Sequence, residues 1–287
     1  MGRTATIMLQ LLRLYRMDVA AISFGAYAAG LVFTGGVEPR DLPTGLAISL
    51  ISFNFIYSYN AIHDREIDRI NKPGRIIPGQ ALPLAVARGY AALLLALSIL
   101  YPFLVYQNFT NLALFLLLPL LGWAYSAPPL HLKTRLVPAV TTICVGYVTP
   151  IAIGLTSRAP VLTPEHAVVL GYVFLFALSV VPLKDIEDVQ GDEPMGSRNW
   201  LSAVGLRRLL LLSTIGLAVS VVLVLATGIS PRVDGILISF SGGTAGLLWA
   251  YRALRLPPRR LYRSVLILIA VLGLLFFAFG LVFGGVA

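Results

Sequence analysis

The chain has 287 residues, of which 57% are apolar and only 12% are charged, and its mean hydropathy is +0.85. Because soluble domains carry about 25% charged residues, this composition excludes an ordinary soluble domain and indicates a protein that crosses the membrane several times. The single cysteine, Cys144, excludes a disulfide framework and a thiolate metal site. The net charge of +9 indicates cytoplasmic loops that face anionic lipid rather than a nucleic-acid partner.

The first predicted element is the N-terminal segment, residues 1–16. Arg3, Arg13 and Arg16 surround a short apolar run at residues 7–12. The run is too short to span a membrane, and no small-residue cleavage site follows it. We therefore predict an interfacial amphipathic helix rather than a signal peptide.

Nine apolar runs follow, each close to the roughly 17–25 residues that a membrane-spanning helix needs. They cover residues 17–36, 43–63, 83–104, 108–126, 136–156, 164–183, 203–227, 234–254 and 262–285. Because each run is about twice as long as a barrel strand needs, the predicted fold is all-α, a single domain over residues 1–287. Two of the connections, residues 60–82 and 184–202, carry the charged motifs.

Basic residues mark one side of this predicted topology. If the N-terminus lies on side one, only Arg40, Arg158 and Arg232 of the 22 Lys and Arg residues fall on side two, which leaves 19 on side one. The positive-inside rule then predicts a cytoplasmic N-terminus, nine spans and a C-terminus outside.

The first acidic cluster follows the second predicted span. Asn60, Asp64 and Asp68 recur every four residues, so on a helix they lie along one face, about 40° apart in sequence order. Glu66 points away from this face. Three oxygen-bearing side chains without His or Cys partners are typical of a Mg²⁺ site, which substrate phosphates usually complete.

A second acidic cluster repeats the arrangement after the sixth predicted span. On a helix, Asp185, Asp188 and Asp192 would fall within about 60° of one another, with Glu187 diverging. The alternative to a shared metal site is a solvated loop whose acids cap helices and pair with Arg65, Arg69 or Lys184. Two clusters at matched spacing on the same side of the membrane favour the metal site.

Basic residues accompany these acids. Lys72 and Arg75 follow the first cluster, and Lys133 closes the stretch that begins at Tyr125, after the fourth span. Guanidinium and ammonium groups are suitable partners for a diphosphate. Together the acids and bases predict a pyrophosphate-binding mouth above an apolar bundle that could hold a hydrocarbon tail.

These motifs, taken together, resemble the UbiA family of intramembrane prenyltransferases. The resemblance rests on Asn60-x-x-x-Asp64-x-x-x-Asp68, Asp188-x-x-x-Asp192 and Tyr125-Ser-x-Pro-Pro followed by Lys133, and it covers essentially the whole chain. The chain departs from the family pattern at two places. Ala61 stands at the second position of the first motif, where the family usually has Asp, and Arg16-Met-Asp18 replaces an Arg-Pro-x-Asn motif before the first span.

The resemblance implies a helical bundle around a central cavity that opens sideways to lipid. Two Mg²⁺ ions would bridge an isoprenyl diphosphate between the two acidic motifs. The residues implied as metal ligands are Asn60, Asp64, Asp68, Asp185, Asp188 and Asp192. Those implied at the diphosphate are Lys72, Arg75, Lys133 and Lys184. Tyr125 is expected near the cleaved bond, as a catalytic residue beside Asp64, Asp68, Asp188 and Asp192; otherwise it is an interface aromatic at the membrane edge.

The acceptor divides the family. Residues 60–79 and 184–192 most closely resemble archaeal lipid enzymes, the digeranylgeranylglyceryl phosphate synthases. These enzymes transfer geranylgeranyl from its diphosphate to the hydroxyl of geranylgeranylglyceryl phosphate. The alternative is a 4-hydroxybenzoate polyprenyltransferase of quinone biosynthesis. Arg16 is the predicted acceptor-binding cation, and Asn54 either binds acceptor or links two helices.

A small-ion transporter is the alternative of another class. Transporters place ionisable groups near the bilayer midplane, whereas the acids here lie at one edge, so transfer chemistry is favoured. We therefore predict a multi-pass protein of the cell membrane whose active site opens toward the cytoplasm. We infer no obligatory protein partner.

Overall fold

The computed structural model describes residues 7, 9–11, 14, 17–71, 77, 82–186, 199–255, 257 and 260–283. Within these ranges every regular element is a helix, as the sequence predicts. The elements in chain order are α1 (Met17–Phe33), α2 (Pro39–His63), α3 (Arg65–Asn71), α4 (Leu84–Val105), α5 (Phe109–Ser126), α6 (Leu136–Leu155), α7 (Pro164–Val180), α8 (Trp200–Val204), α9 (Leu206–Thr227), α10 (Pro231–Ala253) and α11 (Leu261–Phe283).

Three short 3-10 segments and one π-helical stretch accompany these α-helices. The helix α2 starts as a 3-10 turn, Pro39–Asp41, and contains a π-helical stretch, Ala47–Phe53. The segment Val181–Lys184 extends α7 as a 3-10 helix, and Leu132–Thr134 is a 3-10 turn between α5 and α6.

Seven helices of the described part are long and apolar enough to cross a membrane. They are α2, α4, α5, α6, α9, α10 and α7 with its extension to Lys184. Two further apolar stretches, Val19–Phe33 and Leu261–Leu275, are shorter and match the first and last predicted spans. The helical, multi-span architecture is confirmed, whereas the count of nine spans and the orientation of the termini stay predictions.

One boundary differs from the sequence prediction. The predicted span 203–227 starts three residues too early, because α8 ends at Val204 and α9 begins at Leu206. Gly205 between them has φ of +76°, a conformation that favours glycine and interrupts a right-handed helix. Hydropathy alone does not register this break.

A close backbone contact joins α1 to α6. A Cβ built on Gly30 would lie 2.3 Å from the Ile151 carbonyl oxygen, and one on Gly154 would lie 2.3 Å from the Tyr27 carbonyl oxygen. Only glycine allows the two backbones to approach so closely, as small residues commonly do between membrane helices. The α1–α6 pair therefore forms a tightly packed seam, and α2 and α11 also pack against α1.

Polar contacts fasten the end of the bundle that lies opposite the acidic motifs. The guanidinium of Arg158 donates to both carboxylate oxygens of Asp41, at 2.8 and 2.6 Å. Beside it, Asn111 donates to the Thr156 carbonyl at 3.1 Å and accepts from the Thr156 hydroxyl at 2.5 Å. These contacts join the starts of α2 and α5 to the residues that directly follow α6.

The glycine seam provides a stability test. Gly154→Ala should lower the thermal unfolding temperature of the protein in detergent, because overpacking costs about 1–3 kcal/mol. The matched control is Gly146→Ala in the same helix, where an added Cβ meets nothing within 4 Å. That variant should unfold at or above the wild-type temperature, since alanine favours helix. Equal unfolding temperatures for the two variants would contradict the seam.

Candidate functional site

The first acidic motif lies where α2 ends and α3 begins. Asp64 separates the two helices, with φ −87° and ψ 4°. Its amide donates to the Asn60 carbonyl at 2.8 Å, and the Asp68 amide donates to the Asp64 carbonyl at 2.7 Å. Helical hydrogen bonding thus continues through the junction, and Asn60, Asp64 and Asp68 keep the i, i+4 spacing on which the sequence prediction depends.

Glu66 behaves differently from these residues. It is exposed, and its carboxylate pairs with Arg65 at 3.1 Å and with Arg69 at 2.7 Å. Exposed pairs of this kind contribute little to stability. Asp68, in contrast, is only 4% exposed. The Glu66 side of α3 is therefore exposed and the Asp68 side is buried, which agrees with the prediction that Glu66 points away from the motif face.

The connection after α5 reaches the first motif. Lys133, in the 3-10 turn, donates to Oδ1 of Asp64 across 69 residues of sequence. The two side chains are only 12% and 19% exposed, so the pair is largely shielded from solvent. Asn60 Nδ2 also donates to the Ser126 hydroxyl, at 3.4 Å. The structure thus brings a predicted metal ligand together with a predicted diphosphate-binding lysine.

A second lysine contacts the predicted catalytic tyrosine. Lys184, at the end of the 3-10 extension of α7, donates from Nζ to the Tyr125 hydroxyl at 3.0 Å. The same ammonium lies 5.6 Å from the centroid of the Tyr125 ring. Because the phenol oxygen accepts from the ammonium, the phenol proton stays available for another acceptor.

Asp185, which follows Lys184 directly, binds a backbone amide. Its Oδ2 accepts the backbone N–H of Trp200 at 2.6 Å, and the residue is 5% exposed. The first residue of the second acidic cluster therefore contacts the beginning of α8.

Several predicted site residues lie outside the described residues. They are Arg16, Lys72, Arg75, Asp188 and Asp192. Within the described residues, no three His, Cys, Asp or Glu side chains gather closely enough to hold a metal ion. The described part of the predicted magnesium site is the oxygen-bearing face of Asn60, Asp64 and Asp68, together with Asp185.

Asn54 is engaged by its own protein. It is 5% exposed, its Nδ2 donates to the Tyr90 hydroxyl of α4 at 2.5 Å, and its Oδ1 accepts from Ser58 at 3.2 Å. The bond to Tyr90 links α2 to α4, which is the helix-linking role that the sequence analysis gave as one of two possibilities. Its contact with an acceptor stays a prediction.

The two histidines near the site do not adopt a ligand arrangement. His63 is exposed and donates from Nδ1 to the Tyr59 carbonyl at 2.8 Å. Burial, and then the positive charge of Lys133, lower the pKa of His131 from its ordinary value. His131 is therefore neutral at pH 7.

The sequence analysis did not identify three residues whose contacts the structure shows. Ser126 follows Tyr125 directly, so its place in the motif could have indicated the contact with Asn60. Tyr147, inside the apolar run of α6, interacts through its hydroxyl with Tyr57 and Tyr262; nothing in the surrounding sequence marks it. The third is Trp200, which binds Asp185 through its backbone amide, so its side-chain type gives no indication of the contact.

A cavity of about 690 Å³ lies beside the 3-10 turn of Lys133, between the starts of α6 and α8. Its lining residues are Thr134, Arg135, Leu136, Asn199, Ser202 and Ala203. Arg135 is exposed and lies two positions after Lys133. The connection after α5 therefore faces both the first motif and the start of α8.

The sequence of residues 21–265 matches the UbiA prenyltransferase family. The chain belongs to this family. A digeranylgeranylglyceryl phosphate synthase from Sulfolobus acidocaldarius is 28% identical over 189 residues, which are 66% of either chain. A 2-acylphloroglucinol 4-prenyltransferase from Humulus lupulus is also 28% identical, over 64% of this chain and 46% of that one.

Solved structures share the fold of this UbiA chain. A UbiA homolog from Archaeoglobus fulgidus bound to GPP and Mg²⁺ superposes with a TM-score of 0.73 at 19% identity, covering 94% of this chain and 99% of that one. The protein is thus a membrane prenyltransferase with the UbiA fold. The matched segment is about two thirds of the Sulfolobus relative and about half of the Humulus one.

The Lys133–Asp64 pair can be tested in this prenyltransferase. Lys133→Met leaves the shielded Asp64 carboxylate without its cation and removes a cation predicted to bind the diphosphate, where a hydrogen bond to a charged group contributes about 1.5–3 kcal/mol. We expect kcat/KM for prenyl transfer to fall about tenfold or more.

Arg135→Met is the matched control, because Arg135 is exposed and no contact between it and Asp64 is seen among the described residues. It should reduce prenyl transfer less than Lys133→Met does. Equal losses in the two variants would show that general positive charge, and not the contact with Asp64, is what matters.

Proposed function

We propose that this chain transfers a geranylgeranyl group from its diphosphate to the free hydroxyl of geranylgeranylglyceryl phosphate, in the presence of Mg²⁺. The observation that carries the proposal is the Lys133–Asp64 pair on the Asn60–Asp64–Asp68 face. It joins a cation and a row of oxygen ligands at the same end of the bundle as Tyr125 and Lys184. Metal-assisted binding of an isoprenyl diphosphate needs such a combination.

The donor set fits Mg²⁺. Amide and carboxylate oxygens on one face are ligands that a hard cation prefers. Asn60, Asp64 and Asp68 would hold one ion, and Asp188 and Asp192 would hold a second, with the substrate diphosphate between them. When bound, the ions supply the positive charge that makes pyrophosphate a better leaving group.

The chain's own residues would hold the diphosphate and aid its departure. Lys133 would turn from Asp64 toward a phosphate oxygen, because the carboxylate gains another partner when metal is present. Lys184 would contact the diphosphate beside Tyr125, with Lys72 and Arg75 as further cations. The Tyr125 hydroxyl, which already accepts from Lys184, would donate its hydrogen bond to the leaving oxygen.

The reaction then exchanges one C–O bond for another. The C1–oxygen bond of the donor breaks, and its electron pair leaves with pyrophosphate. The acceptor oxygen forms the new bond to C1 and loses its proton. The apolar bundle limits access of water to the allylic cation. Attack by water would otherwise convert the prenyl group to a free alcohol.

The acceptor is proposed from the relatives. The Sulfolobus relative is named a digeranylgeranylglyceryl phosphate synthase, which supports a glycerophosphate ether acceptor. The Humulus relative, at the same identity, is named for an aromatic acceptor, so the 4-hydroxybenzoate reaction is the second candidate. Arg16, which lies outside the described residues, and Asn54 remain the proposed acceptor contacts.

We also propose that the active site opens toward the cytoplasm. The excess of Lys and Arg on the motif side of the predicted topology supports this orientation. Only Arg40, Arg158 and Arg232 belong to the opposite side in that topology.

The metal site predicts a contrast between neighbouring acids. Asp64→Asn should reduce prenyl transfer by at least about a hundredfold, because a metal ligand loses its charge. Glu66→Gln, two positions away and exposed, should stay close to wild type. Chelation by EDTA should stop the reaction, and added Mg²⁺ should restore it. Full transfer in EDTA, or equal losses in both variants, would contradict the metal site.

The acceptor can be decided by one assay of the purified protein. Labelled geranylgeranyl diphosphate and Mg²⁺ are incubated with geranylgeranylglyceryl phosphate or with 4-hydroxybenzoate, and labelled products are separated. We expect product with the glycerophosphate ether only. Product with 4-hydroxybenzoate only would instead assign the chain to quinone biosynthesis.

A further inference from the structure

We propose that Asp185 is a positioning residue and not a magnesium ligand. Its carboxylate fixes the backbone of Trp200, and so sets where the chain returns to the bundle after the second acidic motif. The inference rests on the proposed function in one respect, namely that Asp188 and Asp192 serve as metal ligands in the segment between these two residues.

The hydrogen bond itself is the first support. Oδ2 of Asp185 lies 2.6 Å from the Trp200 nitrogen, a short distance typical of a charge-assisted bond. Asp185 is 5% exposed, so its carboxylate is largely withdrawn from water. A buried carboxylate that accepts a backbone N–H at the start of a helix is a common stabilising arrangement.

The start of α8 depends on such acceptors. With five residues, α8 is too short to be stable by its own hydrogen bonds. Asn199 Oδ1 accepts the Ser202 amide at 2.8 Å, and Asp185 accepts the Trp200 amide. The two side chains satisfy different amides of the first turn, so Asp185 is not replaced by the cap at Asn199.

The residues on either side of the segment 187–198 are buried. Leu183 is fully buried, and Ile186 and Asn199 are 7% and 4% exposed. Lys184 reaches Tyr125, and the ring of Trp200 packs against the core that contains Cys144. The Asp185–Trp200 bond therefore fixes the distance between two anchored points, one before and one after the acidic motif.

A positioning role and a ligand role make different chemical demands. A ligand to Mg²⁺ needs the negative charge of a carboxylate. Acceptance of an N–H bond needs only a carbonyl oxygen, which an asparagine amide also provides. Asp185→Asn keeps the acceptor and removes the charge, whereas Asp185→Leu keeps the approximate size and removes both.

Two measurements on the detergent-solubilised full chain test the proposal. The first is hydrogen exchange of the Trp200 amide in wild type, Asp185→Asn and Asp185→Leu. The second is prenyl transfer as a function of Mg²⁺ concentration in the same proteins, with Asp188→Asn as the control for loss of a ligand.

We expect Asp185→Asn to retain slow exchange at Trp200, a wild-type Mg²⁺ requirement, and transfer within about threefold of wild type. Asp185→Leu should exchange at Trp200 about tenfold faster or more and lose transfer by a similar factor. Asp188→Asn should lose transfer while Trp200 stays protected.

Three results would overturn the proposal. One is an Asp185→Asn variant that needs more Mg²⁺ and is as inactive as Asp188→Asn, since that is the behaviour of a ligand. Another is wild-type exchange at Trp200 in Asp185→Leu. The third is full transfer by Asp185→Leu despite fast exchange. If the wild-type protein transfers no prenyl group, the proposed function fails, while the exchange comparison still decides whether Asp185 fixes Trp200.

Discussion

The confinement of charge to the ends of apolar helices is the constraint on which this structure depends. An ionised side chain at the centre of a membrane helix costs about 2.5–3.5 kcal/mol on insertion scales, so the ion pairs that join helices lie at the helix ends. Arg158 and Asp41 meet at one end, and Lys133 and Asp64 meet at the other. Between these ends, α1 and α6 associate closely through packing alone, where Gly30 and Gly154 bring their backbones together.

The two ends are built differently, and the difference agrees with the roles that we propose for them. Arg158 binds both oxygens of Asp41 with its planar fork, and the amide of Glu38 donates to the same carboxylate at 2.8 Å. Such a bidentate pair is geometrically fixed. Lys133 instead presents a compact ammonium on a flexible stem, so it can exchange a carboxylate for a phosphate oxygen without a change in the backbone. In the proposed mechanism, the Arg158–Asp41 end stays fixed, and the substrate diphosphate replaces the Lys133–Asp64 contact at the other end.

The sequence alone predicts the arrangement of site residues that lie close together along the chain. Asn60, Asp64 and Asp68 are related by helical spacing alone, so their common face follows from their positions. The Lys133–Asp64 contact spans 69 residues; the sequence placed both groups at one end of the bundle but could not specify that they touch. The Tyr125–Lys184 contact is similar. The Asp185–Trp200 bond had no signal, because its donor is a backbone amide that every residue other than proline possesses.

Asp185 shows how a carboxylate that helical spacing groups with other acids can also serve the backbone. The predicted span 203–227 starts after Asn199 and Trp200, so hydropathy does not mark the start of α8. Because Gly205 adopts φ +76°, the chain forms the short helix α8 before α9, and the amides of that helix require partners. Asn199 supplies one partner and Asp185 the other. An acid that periodicity assigns to the metal face is therefore hydrogen-bonded to the first turn of a short helix that the sequence pattern does not predict.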